Sequence, residues 1–134
     1  MSRMPPALAR VSRSKGAERR SVLATLAAYG ITPAPDYIWL MEESDGVEGP
    51  VGAQGYLVLW ALANLATHNQ AYHVDEFAPD LFLIGSDGGD TALAFSRRRP
   101  GTFLTVPFVG LSDEAAVPVG SSLADLVGAV SYGE

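Results

Sequence analysis

The stretch Leu81 to Thr91, which reads LFLIGSDGGDT, decides the fold because two short apolar runs meet there across a polar turn. The first run, Leu81 to Ile84, lies between a proline and a glycine, and so short an apolar segment is typical of a buried strand. The second run is Ala92 to Phe95. Between them, Ser86 and Asp87 can accept bonds from nearby backbone N–H groups, and the adjacent glycines permit positive φ. The stretch therefore predicts a β-hairpin whose connection is longer than two residues.

The same turn carries residue types that can form a binding or catalytic site. A glycine-rich turn can cradle an anion, but the carboxylates of Asp87 and Asp90 would repel a phosphate. Two acids can also serve as the catalytic pair of a glycosidase, although acids on one tight turn are usually only polar turn residues. Neither Gly85 to Gly88 nor Gly120 to Ser122 fits the Gly-x-Ser-x-Gly pattern of a serine hydrolase. We therefore predict no catalytic residue and no enzyme, with a hydrolase using Asp87 as the least favoured reading.

Composition limits the class of protein further. The 134 residues suit one domain, and a hydrophobic fraction of 48% favours a globular chain. No apolar run is long enough to span a membrane. The absence of cysteine excludes disulfides and thiolate sites, which fits a reducing compartment, so we expect a cytoplasmic protein.

The two histidines are the candidate ligands of a metal site. His68 and His73 could be combined with Asp75 and Glu76, but five residues separate the histidines, which does not make them neighbours on one helix face. There is no third histidine and no cysteine to complete a set of ligands. We therefore predict no metal and no cofactor.

The chain has a net charge of −6, and its charged residues are distributed unevenly along the sequence. Beyond residue 20 only three arginines face fourteen acids (fifteen in total, less Glu18), so this body carries a charge of −11. Such a body should repel nucleic acid and anionic membranes and attract a basic partner, although acidity can also serve solubility alone. The first twenty residues hold the other six basic side chains, which are Arg3, Arg10, Arg13, Lys15, Arg19 and Arg20.

The chain divides into a tail and one domain. Residues 1–17 have little periodicity, and we predict a solvated basic tail, with a transit peptide or a nucleic-acid-binding arm as less favoured readings. Residues 18–134 are predicted to form a single domain. Helical spacing indicates helices over Glu18 to Tyr29, Pro35 to Ser44 and Leu62 to Asn69. Ser122 and Asp125 have the spacing of a capping box, which predicts a last helix after them.

The remaining segments complete the predicted layout. Strands are expected over Tyr56 to Leu62 and Thr102 to Val109, with a turn centred on Pro100 and Gly101 before the second of them. Val47 to Gly55 is rich in glycine and acids and is predicted to be a solvated loop, since it does not match a calcium-loop template. The order of elements predicts an α+β fold, with an antiparallel sheet of about four to six strands and helices packed on it.

Several blocks in this order resemble the SMI1/KNR4 family, also called the SUKH superfamily. An early helix ends in Asp45-Gly46, a strand ends in Trp60, and the central stretch matches the family's Gly-Ser-Asp-Gly-Gly block. The blocks extend over about residues 21–130 and are Asp36-Tyr37, Leu40-Met41, Asp45-Gly46, Tyr56 to Trp60, Leu65, Asn69, Tyr72, Ala78 to Gly89, Val106 to Leu111 and Gly120 to Leu123.

The resemblance implies an α+β fold without enzymatic activity. Bacterial members of the family bind and neutralise a cognate toxin, often a nuclease, and fungal members regulate cell-wall synthesis through protein contacts. We therefore expect an immunity-type protein whose partner is a basic toxin domain, or else a scaffold with several protein partners. It would be a monomer or a homodimer. The candidate contacts are Trp39, Glu42, Glu43, Asp45, Glu48, Tyr72, Asp75, Glu76, Asp87 and Asp90.

Overall fold

A seven-stranded antiparallel sheet organises the computed structural model, which describes residues 6–52 and 54–131. The order of the strands in the sheet is their order along the chain, so each strand pairs with the next one. The α+β class is confirmed, but the predicted four to six strands were too few. The strands are β1 (Ser12–Arg13), β2 (Val47–Val51), β3 (Gly55–Leu59), β4 (Leu81–Ser86), β5 (Thr91–Ser96), β6 (Arg99–Pro107) and β7 (Val117–Gly120).

In the part of the chain that the structure describes, five α-helices and one 3₁₀ turn accompany this sheet. The 3₁₀ turn is Pro6–Leu8, and the helices are α1 (Arg19–Ala27), α2 (Pro35–Glu43), α3 (Leu62–Ala71), α4 (Val74–Phe77) and α5 (Leu123–Val130). The predicted helices α1, α2, α3 and α5 are confirmed within a few residues at each end. The short helix α4 lies between the predicted helix that ends at Asn69 and the central hairpin, where no element was predicted.

The central hairpin is confirmed as β4 and β5. Their register runs from Leu81 opposite Ser96 to Ser86 opposite Ala92, with an irregularity between Leu83 and Gly85. Asp87 closes the turn, because its Oδ1 accepts from the N–H of Gly89 at 2.9 Å and from the N–H of Thr91 at 3.3 Å. This is the local side-chain to backbone bonding that the turn sequence predicts.

The two faces of the sheet carry separate hydrophobic clusters. The larger cluster lies on the first face and joins the sheet to α1, α2 and α5, with Tyr37, Phe95 and Phe103 as its largest fully buried side chains. The smaller cluster lies on the second face over β4, β5 and β6. It is covered by α4 and by the loop between β6 and β7, through Val74 and Leu111. Among the described residues of β2 and β3, the side chains on the second face remain accessible, since Glu48 and Pro50 are exposed and Tyr56 and Val58 are half-buried.

The segment predicted as a solvated tail is part of the domain from Pro6 onward. Leu8 is completely buried and Val11 nearly so, and both belong to the larger cluster. Backbone bonds then hold the segment against α2: Ala17 N–H donates to Met41 O at 2.9 Å, and the N–H of Asp45 donates to Lys15 O at 3.0 Å. The prediction of a free tail was therefore wrong for residues 6–17, and its first five residues lie outside the described ones.

The predicted loop over residues 47–55 contains strand β2. Its side chains alternate between buried and exposed, as expected for a strand with one face in the core. Gly49 is required there because a Cβ would lie 2.7 Å from the Cα of Val11, where the N-terminal segment crosses. The glycines that suggested a loop thus allow close packing of backbone.

The turn between β5 and β6 also differs from the prediction. Ser96 pairs with Arg99, so the turn residues are Arg97 and Arg98, and Pro100 and Gly101 already lie in β6. Pro107 ends β6, outside the part of that strand that pairs with β7. A proline at this position removes no bond between β6 and β7.

Asn69 of α3 binds the backbone of β4 at the part of its edge that is not paired with β3. The two strands pair only at two positions near the end of β4. Beyond them, Asn69 Oδ1 accepts from the N–H of Leu83 at 2.8 Å, and Asn69 Nδ2 donates to Leu83 O at 2.9 Å. Nδ2 also donates to Leu65 O at 2.9 Å. The buried amide therefore makes the bonds that a neighbouring strand would make.

Candidate protein-binding surface

The uncovered part of the second sheet face is the first candidate for a binding surface. The strand register places Ser12, Glu48, Val58, Ser86 and Ala92 in one row across five strands, so their side chains share a face. Ala92 is buried under the covering loop, whereas Val58 and Ser86 are half-buried and Glu48 is exposed. We call the uncovered residues Glu48, Tyr56, Val58 and Ser86 the open face.

Tyr56 is held in position on the open face. Its hydroxyl donates to Glu48 Oε2 at 3.0 Å, and this hydrogen bond is the main cause of a raised pKa of Tyr56. The other side of the ring lies against the central hairpin turn, where a Cβ at Gly88 would come within 2.6 Å of ring Cδ2. Gly88 also has a φ of +83°, which favours glycine. The ring therefore joins β2, β3 and the turn.

Trp60 and His68 form a half-buried stack beside the open face. Their ring centroids are 4.0 Å apart with an interplanar angle of 20°. Between the two rings in the chain, α3 begins at Leu62, whose N–H donates to Asp45 Oδ1 at 2.9 Å. Between α3 and the sheet lies a groove of about 260 Å³, whose lining includes Ser12, Asp45, Glu48, Val58, Trp60 and Asn64.

A second aromatic pair lies farther along the same face. The rings of Tyr72 and Phe108 are 4.6 Å apart, and the N–H of Phe108 donates to Asp90 O at 2.9 Å. Tyr72 is 39% exposed, and the neighbouring Phe77 and Val109 are 54% and 86% exposed. Partly exposed aromatic rings are enriched among the residues that carry energy in protein interfaces.

The structure places only some of the predicted contact residues on this face. Glu48 lies on the open face itself. Asp90 and Tyr72 lie beside Phe108, and Asp87 closes the hairpin turn against Tyr56. Asp75 and Glu76 are exposed on α4, which covers the adjoining part of the second face.

The other predicted contacts lie elsewhere or have structural partners. Trp39, Glu42 and Glu43 belong to α2, which packs on the first face. Trp39 is half-buried against the larger cluster, and Glu42 pairs with Arg19 at 3.4 Å. Asp45 is half-buried and bonded to the start of α3. No contact among the described residues joins the α2 acids to Glu48.

Tyr56, the Trp60–His68 stack and Phe108 were not predicted as site residues. The alternation of Tyr56, Val58 and Trp60 could have indicated a second apolar strand face. It could not show that this face lacks a cover, because that depends on where α3 and α4 pack. In the described part of the chain, no group of three or more His, Cys, Asp or Glu side chains could hold a metal ion.

No family model matches the chain, and no curated protein matches it significantly. None of the helices in residues 6–52 and 54–131 has the length and apolarity needed to cross a bilayer.

Proposed function

We propose that this chain is a non-enzymatic protein-binding domain of the SMI1/KNR4 type, which binds and neutralises a cognate basic toxin. The observation that supports the proposal is the second sheet face, where the stacked Trp60–His68 pair lies beside the open face with Glu48, and the tilted Tyr72–Phe108 pair lies beside the covered part near Asp90. Packed aromatic rings lose little conformational entropy on binding and offer a large apolar contact area.

Charge favours a basic partner. The chain carries a net charge of −6 even with the six basic residues among its first twenty, and a nuclease toxin must present basic surface to the nucleic acid that it cleaves. Opposite charges would accelerate association and align the two proteins, whereas the aromatic pairs would supply most of the affinity. The resemblance of the ordered sequence blocks to the family supports the same proposal.

The first experiment is capture of partners from a lysate of the source organism with the tagged full chain, followed by mass spectrometry. A single basic protein that high salt releases would support the proposal, because screening weakens attraction between exposed charges. Several unrelated partners that salt does not release would favour a regulatory scaffold instead.

A charge-reversal pair then locates the surface. We expect the double variant E48K/D90K to reduce capture of the basic partner strongly, since both changes lie around the open face. The matched control E42K/E43K makes the same change of charge on α2 and should capture the partner nearly as well as the wild type. Equal losses from both variants would show that only net charge matters, and a selective loss in the control would place the surface on α2.

A further inference from the structure

A separate pocket of about 250 Å³ lies at the start of β4 and shares no lining residue with the groove beside the open face. The pocket is bounded by the segment that follows α1, by helices α3 and α4, and by the turn between β5 and β6. Tyr29 and Phe82 form one wall as a stacked pair with centroids 4.5 Å apart. The rest of the apolar lining comes from Ala66, Val74, Pro79 and Leu81.

Arg97 supplies a fixed positive charge to this pocket. Its Nε donates to Tyr29 O at 2.7 Å, and its Nη1 donates to Pro79 O at 2.6 Å and to Leu81 O at 3.4 Å. All three acceptors are neutral carbonyls, so they orient the guanidinium without cancelling its charge. By contrast, the neighbouring Arg98 pairs with Asp80 at 2.7 Å. Among the described residues, no carboxylate lies within 4.0 Å of Arg97.

The remaining polar groups of the pocket restrict what could bind. The side-chain amide of Asn69 is already hydrogen-bonded to the backbone of Leu65 and Leu83, so it is not available to bind a ligand. Gln70 and Asp75 are exposed and line the same pocket. The carboxylate of Asp75 would repel a ligand that carries two negative charges, so a single negative charge fits best.

We propose that this pocket binds a small monocarboxylic acid with a compact aromatic or branched apolar body. The carboxylate accepts from the guanidinium of Arg97, and the body lies against the Tyr29–Phe82 wall. Because Nε and Nη1 of Arg97 already donate to the three carbonyls, the carboxylate accepts a charge-assisted hydrogen bond from the remaining N–H donors of the guanidinium. Binding of this kind goes beyond the proposed toxin-binding function and does not depend on it, since the open face lies elsewhere.

The test is a titration of the ¹⁵N-labelled full chain, followed by two-dimensional NMR, with phenylacetate and with phenylacetamide as its neutral analogue. We expect phenylacetate to shift the Arg97 Nε–H signal and the amide signals of Ala66 and Gln70. We expect the acid to bind about tenfold more tightly than the amide, as one charge-assisted hydrogen bond would provide.

Two variants test the geometry without altering Arg97, which ties three backbone carbonyls together. A66L fills the pocket from α3 and should abolish the shifts, whereas the control T67L adds similar bulk at an exposed position of the same helix and should leave them unchanged. D75N removes the repelling carboxylate and should tighten binding of phenylacetate about threefold.

Three results would overturn the proposal. Equal affinity for the acid and the amide would show that Arg97 does not recognise a carboxylate. Shifts that persist in A66L, or that fall outside the pocket, would place binding elsewhere. Inorganic phosphate that competes as well as phenylacetate would reduce the site to a general anion contact. Loss of signal dispersion in A66L would direct the same comparison to D75N, whose tighter binding supports the proposal and whose unchanged affinity contradicts it.

Discussion

Tyr37 shows what the sequence can and cannot predict at the scale of one residue. Its spacing with Leu40 and Met41 predicts the inner face of α2, and the side chain is completely buried, edge-on to Phe95 at 5.1 Å. Its hydroxyl has no hydrogen-bond partner among the described residues. Burial, and to a lesser extent the charge of Asp45, raise the pKa of Tyr37 above its ordinary value. Helical spacing fixes the direction of the side chain, but the surroundings of the hydroxyl depend on distant elements.

We expect Y37F to raise the free energy of unfolding by about 1 kcal/mol. Burying a hydroxyl that has no hydrogen-bond partner costs free energy, whereas burying the ring C–H of phenylalanine does not. Urea denaturation measures the change. The control Y56F removes a hydroxyl that is exposed and bonded to Glu48, and it should leave stability nearly unchanged or slightly lower. Destabilisation by Y37F would indicate that a buried water bonds to this hydroxyl.

At the scale of elements, a helix can be capped by residues that are close to its start in the chain or by residues that are far from it. The sequence predicts the capping box of α5, and the structure confirms it: Ser122 Oγ accepts from the N–H of Asp125 at 3.0 Å, and Asp125 Oδ2 accepts from the N–H of Ser122 at 3.3 Å. Asp36 also bonds to the start of α5, through the N–H of Leu123 at 2.8 Å. Local spacing reveals the first cap, but no local pattern reveals a cap 87 residues away in the chain.

The α5 cap should make stability depend on pH. Hydrogen bonds from Ser122, first from its side chain and then from its backbone, lower the pKa of Asp125 below its ordinary value. The charged carboxylate therefore stabilises the fold above the unfolded-state pKa of about 4, and this contribution is lost as pH falls through the lowered folded-state pKa.

We expect the wild type to exceed D125N in free energy of unfolding by a constant amount above about pH 5, with the difference shrinking below about pH 4. Urea denaturation across this range measures it. The exposed loop variant E114Q is the control and should show no comparable trend. A difference between wild type and D125N that does not change with pH would mean that the charge of Asp125 does not contribute.

At the scale of the whole molecule, the α+β class and the central hairpin could be predicted because both depend on local patterns. The number of strands could not. Strand β1 has only two residues, Ser12–Arg13, and becomes a strand only because β2 lies beside it. Strand β2 contains Gly49 and Pro50, which locally favour a loop. The open face was equally hidden, because it depends on which part of the sheet the helices leave uncovered.

The extent of the domain can be tested at Leu8. We expect L8A to lower the free energy of unfolding by about 2–5 kcal/mol, because it removes a completely buried side chain from the larger cluster. Thermal or urea denaturation measures the loss. The control R13A lies on exposed β1 and should change stability by less than about 0.5 kcal/mol. If residues 6–17 were a solvated tail, both variants would behave like the wild type.

The strictly sequential strand order has a kinetic consequence. Every ladder in the sheet joins strands that are consecutive in the chain, so most of the sheet can form by closing short loops. The longest interruption is between β1 and β2, where α1 and α2 intervene, and the next longest is between β3 and β4, where α3 and α4 intervene. Because local pairing favours rapid folding, this sheet should form faster than one of equal size with crossed strands. During synthesis, each strand also meets its partner as soon as the next segment leaves the ribosome.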